Sequence, residues 1–376
     1  MESLEWITDL ARFAAVSAEW DALAGEQEMP FLLSSWLVPW WRGFGTARGL
    51  RVAVLWRDGG VGAGIPIWDG RRTWEAPVAE AMPPFCSMMA TDDAARLRLA
   101  EQVIAAVPAE TFLRALAADG PTLEALLGAA ERRGLPTIAE EMPGTLLTET
   151  AGSLDDYRAG LSSKVRSEVG RLQRKAAREH DLEIAALEPP REVAQQWRGL
   201  LELEASGWKG ESRTAILHKP EVRTFFDGLI DAFHATGALR LSELSLDGRL
   251  VATAMSLVHR GRVFTLKVAY DESHRRLGPG FVLLMAMIER CFELGLDAYE
   301  FSGTEEEYER RFATAERPRR RLRIYGAGPV GRARYVYRRS VRPRLGATRA
   351  AARRALRGMR ERPSVTRPRS SPRSRA

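Results

Sequence analysis

The stretch RVFTLKVAYDESHRRLGPGFVLLMAMIERCFELGLDAYEF, residues 262–301, decides the fold. Its first eight residues form an alternating, β-branched and aromatic run that reads as a strand. A turn carrying Gly278 and Gly280 follows, and residues 281–294 have the length and apolar density of a buried helix. Gly295-Leu296-Asp297 then turns into a short strand at 298–301, with helical spacing resuming at 305–312. A glycine-rich turn at a helix N-terminus offers free backbone N–H groups at the positive end of the helix dipole, which suits a pyrophosphate. Gly278 and Gly280 allow close backbone approach, Pro279 is tolerated at the first helical turn, and Arg275 and Arg276, just before Leu277, add charge-assisted contacts. Those six residues alone read equally well as an ordinary strand-to-helix turn.

Working outward, 239–246, 249–259 and 262–269 read as three antiparallel strands joined at Asp247-Gly248 and Arg260-Gly261. A strand at 182–187, helices at 191–205 and 221–235, and a Gly207-Trp208-Lys209-Gly210 turn precede them. Residues 154–179 form a helix bearing seven basic residues, read either as a solvated face or as a contact for an anionic partner. The N-terminal region has helices at 14–23 and 34–44, the second capped by Ser34 or Ser35. Two strands, 50–56 and 61–68, turn at Asp58-Gly59-Gly60. Helices at 94–107 and 122–133 follow, the latter stopped by Gly134, and then a strand at 145–148. A strand at 322–325 completes the sheet. The expected organisation is an N-terminal domain over 1–153, a basic connecting helix over 154–180, a C-terminal domain over 181–327 and an Arg-rich, weakly ordered tail over 328–376.

Composition bounds the function. The 376 residues carry a net charge of +7, yet 317–376 hold 21 Arg against one Glu, so residues 1–316 carry −13. An acidic body argues against a phosphate-tracking surface, and specific nucleic-acid binding is not expected. Basic starts followed by an apolar run are missing at the N-terminus, and no apolar stretch reaches bilayer-spanning length, so the cytoplasm is the expected location. Cys86 and Cys291 stand far apart with no metal-ligand spacing around them, so neither a disulfide framework nor a metal is expected.

Arg-x-x-Gly-x-Gly at 275–280 resembles the coenzyme A pyrophosphate loop of the GNAT acyltransferase superfamily. Ser34-Ser35-Trp36 through Phe44, the Pro66 strand, the basic helix from Ser162 to Arg174, Gly207 to Gly210, Leu266 to Asp271 and Tyr308 to Phe312 together resemble the CelD-like acetyltransferases of cellulose and exopolysaccharide loci. Those are similar in architecture to Fem peptidyltransferases. Over roughly residues 5–325 the resemblance implies an α/β (α+β) fold of two tandem GNAT-like domains, each a mixed, mostly antiparallel sheet flanked by helices. It implies acetyl-CoA or another acyl-CoA as co-substrate. The acyl group would pass directly to an amine or hydroxyl of a small molecule or glycan precursor.

It also implies roles for residues. Backbone N–H groups near Leu266 and Val268 would stabilise an oxyanion, Glu300 on its apolar strand would be the general base, and Tyr308 would protonate the departing thiolate. Lys267 and Asp271, further candidate catalytic residues, flank Ala269 and Tyr270 at the strand end, where Lys267 would hold an acceptor carboxylate or polarise the thioester and Tyr270 would meet the substrate, and a surface ion pair of Lys267 and Asp271 is the plainer reading. Trp208 and Lys209 would shape the acceptor pocket. Relatives often have Tyr-Lys near Tyr308, whereas Glu309 and Arg310 follow here. Two other readings stand beside this one: aminoacyl transfer from charged tRNA, and a non-catalytic scaffold whose Arg-rich tail makes peripheral contact with anionic membrane at the inner face.

Overall fold

A computed structural model describes residues 2–45, 49–70, 73–75, 86–207, 213–302 and 307–341. Thirteen strands form one mixed sheet flanked by helices. In chain order the N-terminal half contains β1 (Glu2–Ile7), α1 (Leu10–Ala15), α2 (Ser17–Ala24), α3 (Ser34–Phe44), β2 (Gly49–Arg57), β3 (Gly60–Gly70), β4 (Thr73–Glu75), β5 (Met89–Ala90), α4 (Asp93–Ala105), β6 (Glu110–Ala117), α5 (Pro121–Arg132) and β7 (Thr137–Glu149). Two helices, α6 (Leu154–Gly160) and α7 (Ser163–Glu179), lead into β8 (Leu182–Ala185), α8 (Val193–Ser206) and α9 (Pro220–Ala235). Then come β9 (Leu239–Leu246), β10 (Arg249–His259), β11 (Arg262–Tyr270), α10 (Pro279–Glu293), β12 (Ala298–Glu300), β13 (Ala315–Tyr325) and α11 (Pro329–Val336).

The hairpins form where the turn dipeptides sit. Asp58-Gly59, Asp247-Gly248 and Arg260-Gly261 all have positive φ at both positions, the geometry whose twist matches that of paired strands. Helix 154–179 is broken in two, because Ser162 caps a new helix by accepting the Val165 N–H. The cap expected at Ser34 is absent: Leu33 occupies that position, and Ser34 instead hydrogen-bonds the Asp21 carboxylate.

Strand order is β1-β2-β3-β4-β6-β13-β7-β12-β11-β10-β9-β8. The expected division at 153 is therefore interleaved. β13, read as completing the C-terminal sheet, inserts between β6 and β7 of the N-terminal half, and β12 pairs with β7 through Ala298↔Glu149 to Glu300↔Leu147. In return α3 packs on α9 of the C-terminal half. Gly43 makes that approach possible, since a Cβ there would stand 2.6 Å from the Glu221 carbonyl. Trp36 meets Phe225 edge-on at 5.3 Å and Phe31 meets Phe264 at 5.6 Å, so one apolar core runs from the N-terminal helices to β11. Each such buried aromatic contributes about 1.5–3 kcal/mol over exposure. A second core lies between the other face of β9–β11 and α7 and α10, and a third under α4 and α5.

Candidate active site

β11 and β12 run parallel and pair for three residues only, Arg262↔Ala298, Val263↔Tyr299 and Phe264↔Glu300. Beyond that point β11 continues to Tyr270, while the Phe301 N–H turns away to the Leu146 carbonyl. The two strands thus part in their pairing after Phe264 and Glu300. Beside that point β11 carries a bulge: Ser256 faces Thr265 and Met255 faces Lys267, leaving Leu266 as the extra residue. A bulge residue drops out of the ladder and re-aims the backbone beside it. The Leu266 side chain is buried, with Phe264, against α8 and α9, while Val268 packs towards α10 on the opposite face.

The turn after β11 is built by Asp271. Its carboxylate accepts the Ser273 N–H (2.9 Å) and hydroxyl (2.6 Å) and an Arg249 N–H (3.0 Å), with His274 Nδ1 at 3.2 Å. Burial alone would raise this carboxyl, but the Ser273 hydrogen bonds and the nearby imidazole overcome it and hold the pKa below the usual carboxylate range. Asp271 therefore serves the turn as its cap rather than facing an acceptor. One 3-10 turn later Gly278 takes the left-handed conformation, φ 57° and ψ 45°, and Pro279 opens α10. The Phe281 and Val282 N–H groups fold back on the Gly278 carbonyl. Gly280 is thus left as the first-turn residue whose N–H has no intrahelical acceptor. Helix α7 closes one side of the turn, with a Cβ on Gly278 falling 2.7 Å from Leu172 Cδ1, whereas at Gly280 a Cβ would meet only Tyr270 at 3.5 Å. Arg275 and Arg276 are exposed and Leu277 is buried beneath them. No ion pair engages either arginine among the described residues.

The remaining candidates fall around this frame. Glu300 does not sit in the apolar surroundings its strand implied. Its side chain is 1% exposed, and Oε1 accepts from Arg262 at 2.6 and 3.0 Å and lies 3.2 Å from Arg317 Nε. Arg317 also reaches Glu28 at 2.8 Å, so this carboxylate ties β11, β12 and β13 to the N-terminal half where that pairing ends. Two guanidinium groups thus stand against the buried carboxylate. Lys267, directly after the bulge, faces Glu204 of α8 at 3.9 Å and the Phe226 ring at 5.0 Å. Glu204 is buried and its other oxygen accepts the Ile216 N–H at 2.9 Å. Tyr308 stacks edge-on against Phe281, in the first turn of α10, at 6.0 Å, with its hydroxyl 3.4 Å from the Glu309 carboxylate. Tyr270 is exposed at the end of β11. Trp208 and Lys209 lie outside the described residues. Both cysteines are buried, and burial pushes each thiol up to about 12.

Sequence reasoning missed Glu204. Its signal was present: Trp197, Leu200, Leu201 and Glu204 follow i, i+3, i+4, i+7, so a carboxylate stands on the stripe that α8 buries.

A strand that leaves its parallel neighbour beside a bulge, followed by a left-handed glycine turn and a buried helix, frames the candidate site within a mixed α/β fold. Residues 163–310 match the family described as Acetyltransferase (GNAT) domain. Among solved structures, the chain is similar to the C-terminal domain of a protein described as a lysylphosphatidylglycerol synthetase from Agrobacterium fabrum, with 15% identity, TM-score 0.56, and coverage of 86% of this chain and 97% of that one. It is also similar to FemX, with 13% identity, TM-score 0.55 and coverage of 88% and 100%. A tandem GNAT protein from the clavulanic acid biosynthesis pathway overlays with 14% identity, TM-score 0.46 and coverage of 87% and 99%. No curated protein matches the chain by sequence. The shared architecture is that of GNAT and Fem-like folds.

Proposed function

We propose that the protein transfers an acyl group from an acyl-coenzyme A to an amine or hydroxyl of a small molecule or glycan precursor. The observation that carries this reading is the three-residue pairing of β11 with β12, which ends beside the Leu266 bulge, with the Gly278 turn following β11 in the chain. Coenzyme A fits that frame. Gly280 has an open N–H, Arg275 and Arg276 are exposed at the same turn, and α10 supplies its dipole to a pyrophosphate. Bound there, an acyl-CoA supplies the activated thioester. The backbone beside Leu266 stabilises the developing oxyanion and Lys267 orients the acceptor under the control of Glu204; the acceptor bonds to the thioester carbon as the carbon–sulfur bond breaks, its proton passes to solvent, and Tyr308 protonates the leaving sulfur and is itself reprotonated from solvent. Glu300 fastens β12 to β11 and β13 where the pairing ends. The resemblance to CelD-like proteins supports a sugar amine or hydroxyl as the acceptor and a cytoplasmic setting.

Titration calorimetry with acetyl-CoA and longer acyl-CoAs is the test. Saturable binding that disappears in Arg275→Ala/Arg276→Ala is expected. If no acyl-CoA binds and an aminoacyl-tRNA does, the Fem-like transfer reading replaces this one, against the −13 charge of residues 1–316.

A further inference from the structure

Helix α7 is a cationic island in an acidic body. Its 17 residues carry six Lys and Arg against Glu168 and Glu179, a balance of +4, within residues 1–316, which carry −13. The helix buries Val165, Val169, Leu172 and Ala176, at spacings of four, three and four. With 3.6 residues per turn the opposite side falls to Lys164, Arg171, Arg174, Lys175 and Arg178, all inside one sector of about 100°. Four of these are exposed and Lys175 is half-buried. The two carboxylates stand at the edge of this stripe. Glu168 turns to Arg311, and Glu179 closes the far end by pairing with Lys175 at 3.9 Å and Arg178 at 2.9 Å. Lys164, Arg171 and Arg174 meet no carboxylate among the described residues. The stripe runs beside the Gly278 turn: a Cβ on Gly278 would touch Leu172, His180 lies edge-on to His274 at 6.4 Å, and the exposed Arg275 and Arg276 add their charge there.

Three features of the stripe select its partner. Lys164 stands eight residues, about 12 Å along the axis, from Leu172, and the whole stripe is about 21 Å long, so a nucleotide held at the turn covers one end and leaves the other bare. No aromatic or large aliphatic side chain is exposed on α7, which leaves bases nothing to stack on and a bilayer nothing to take in. The acidic remainder of the body repels a polyanion that extends past the stripe. We propose that α7 docks a small acidic carrier protein whose phosphopantetheine arm bears the acyl thioester. The inference rests on the acyl-donor reading of the Gly278 turn. Carrier protein and coenzyme A share the arm and its thioester, and differ in what lies beyond the phosphate, an acidic protein surface in one and a nucleotide in the other. With the arm's phosphate at Arg275 and Arg276, the acidic face of the carrier lies along Lys164 to Arg178. The transfer balances as for the coenzyme: the acceptor bonds to the thioester carbon, the carbon–sulfur bond breaks, the acceptor's proton passes to solvent, and the carrier leaves with its thiol protonated by Tyr308. Contacts between exposed charges give fast, salt-sensitive encounter rather than a lasting complex, which suits a partner that must leave to be reloaded.

Titration of the full chain with acetyl-CoA and, separately, with a type II acyl carrier protein bearing an acetylated phosphopantetheine tests this. Both are expected to bind, each displacing the other, and the Kd of the carrier should rise about tenfold between about 50 and 300 mM salt. Lys164→Glu should weaken the carrier about threefold, and Arg171→Glu/Arg174→Glu about tenfold or more, while Lys164→Glu keeps the Kd for acetyl-CoA within about twofold of wild type. Lys164→Glu does not act through folding, because a carboxylate in the first turn suits the helix dipole, and thermal melts check the double variant. Acetyl-CoA binding without carrier binding, or carrier binding unchanged in Arg171→Glu/Arg174→Glu, would overturn the docking surface and leave the donor site standing. Stripe-dependent binding of transfer RNA tighter than that of the carrier would assign α7 to RNA and overturn it as well. Binding of neither donor would remove the donor reading, and the docking with it.

Discussion

Gly278→Ala isolates the turn on which the proposed function depends. Two costs can be worked from its surroundings. An L-residue held at φ 57° and ψ 45° pays about 1–2 kcal/mol relative to glycine. The new methyl would also stand 2.7 Å from Leu172 Cδ1, and Leu172 is 5% exposed in a closed core, so making room costs a further 1–3 kcal/mol or so. The expected loss is therefore about 2–5 kcal/mol in urea unfolding, together with at least a tenfold rise in Kd for acetyl-CoA as the turn rearranges. Leu172→Ala, made alone and in the Gly278→Ala background, separates the two costs. On its own it should cost about 2–4 kcal/mol by leaving a cavity. The double variant should be more stable than the sum predicts by about 1–2 kcal/mol, because the collision is gone while the backbone strain stays. Strict additivity, or a Gly278→Ala protein within about 0.5 kcal/mol of wild type, would refute the clamping of this turn by α7.

Two further perturbations probe the ties that position the candidate site. Glu300→Gln should cost about 3–5 kcal/mol by leaving Arg262 and Arg317 with only the half-exposed Glu28 as an anionic partner, read as a shifted urea midpoint at unchanged m-value; a loss under about 1 kcal/mol would remove its structural role. His259, whose Nε2 lies 2.9 Å from the Gln27 carbonyl, has its pKa lowered chiefly by burial, partly offset by that hydrogen bond. The unfolded chain therefore takes up a proton near the ordinary value of 6.5 while the folded chain does not, so this stability is present above 6.5 and falls as pH drops below it. Thermal melts between neutral and mildly acidic pH should show that decline and its loss in His259→Gln; identical slopes in the two proteins would contradict it.

Much of the C-terminal half was legible because its signals are local. The bounds of β9, β10 and β11 follow the dipeptides Asp247-Gly248 and Arg260-Gly261, and the Arg275 to Gly280 turn opens a helix where the glycines put it. β1 and β6 were not read as strands at all. Both depend on partners distant in sequence, β1 on β2 and β6 on β4 and β13, and their own residues, ESLEWI and ETFLRALA, carry weak or helical patterns. The residues now framing the candidate site divide the same way. Leu266 and Gly278 sit in sequence features visible by themselves, whereas the ion partners of Glu300 were not legible, because Arg262 lies 38 residues before it and Glu28, which shares its arginines, lies at the far end of the chain.

By itself the sequence determined a mixed α/β chain, its hairpins, the glycine turn that opens the central helix and the concentration of arginine at the terminus. These follow from backbone freedom, side-chain periodicity and charge, all of which act over a few residues. Only the tertiary structure decided that β13 crosses into the N-terminal half, that α3 packs on α9, that Leu172 closes the turn and that Glu204 stands behind Lys267. Each of those is a contact between segments whose separation in the chain carries no local mark, fixed by which buried faces and charges find one another when the sheet assembles.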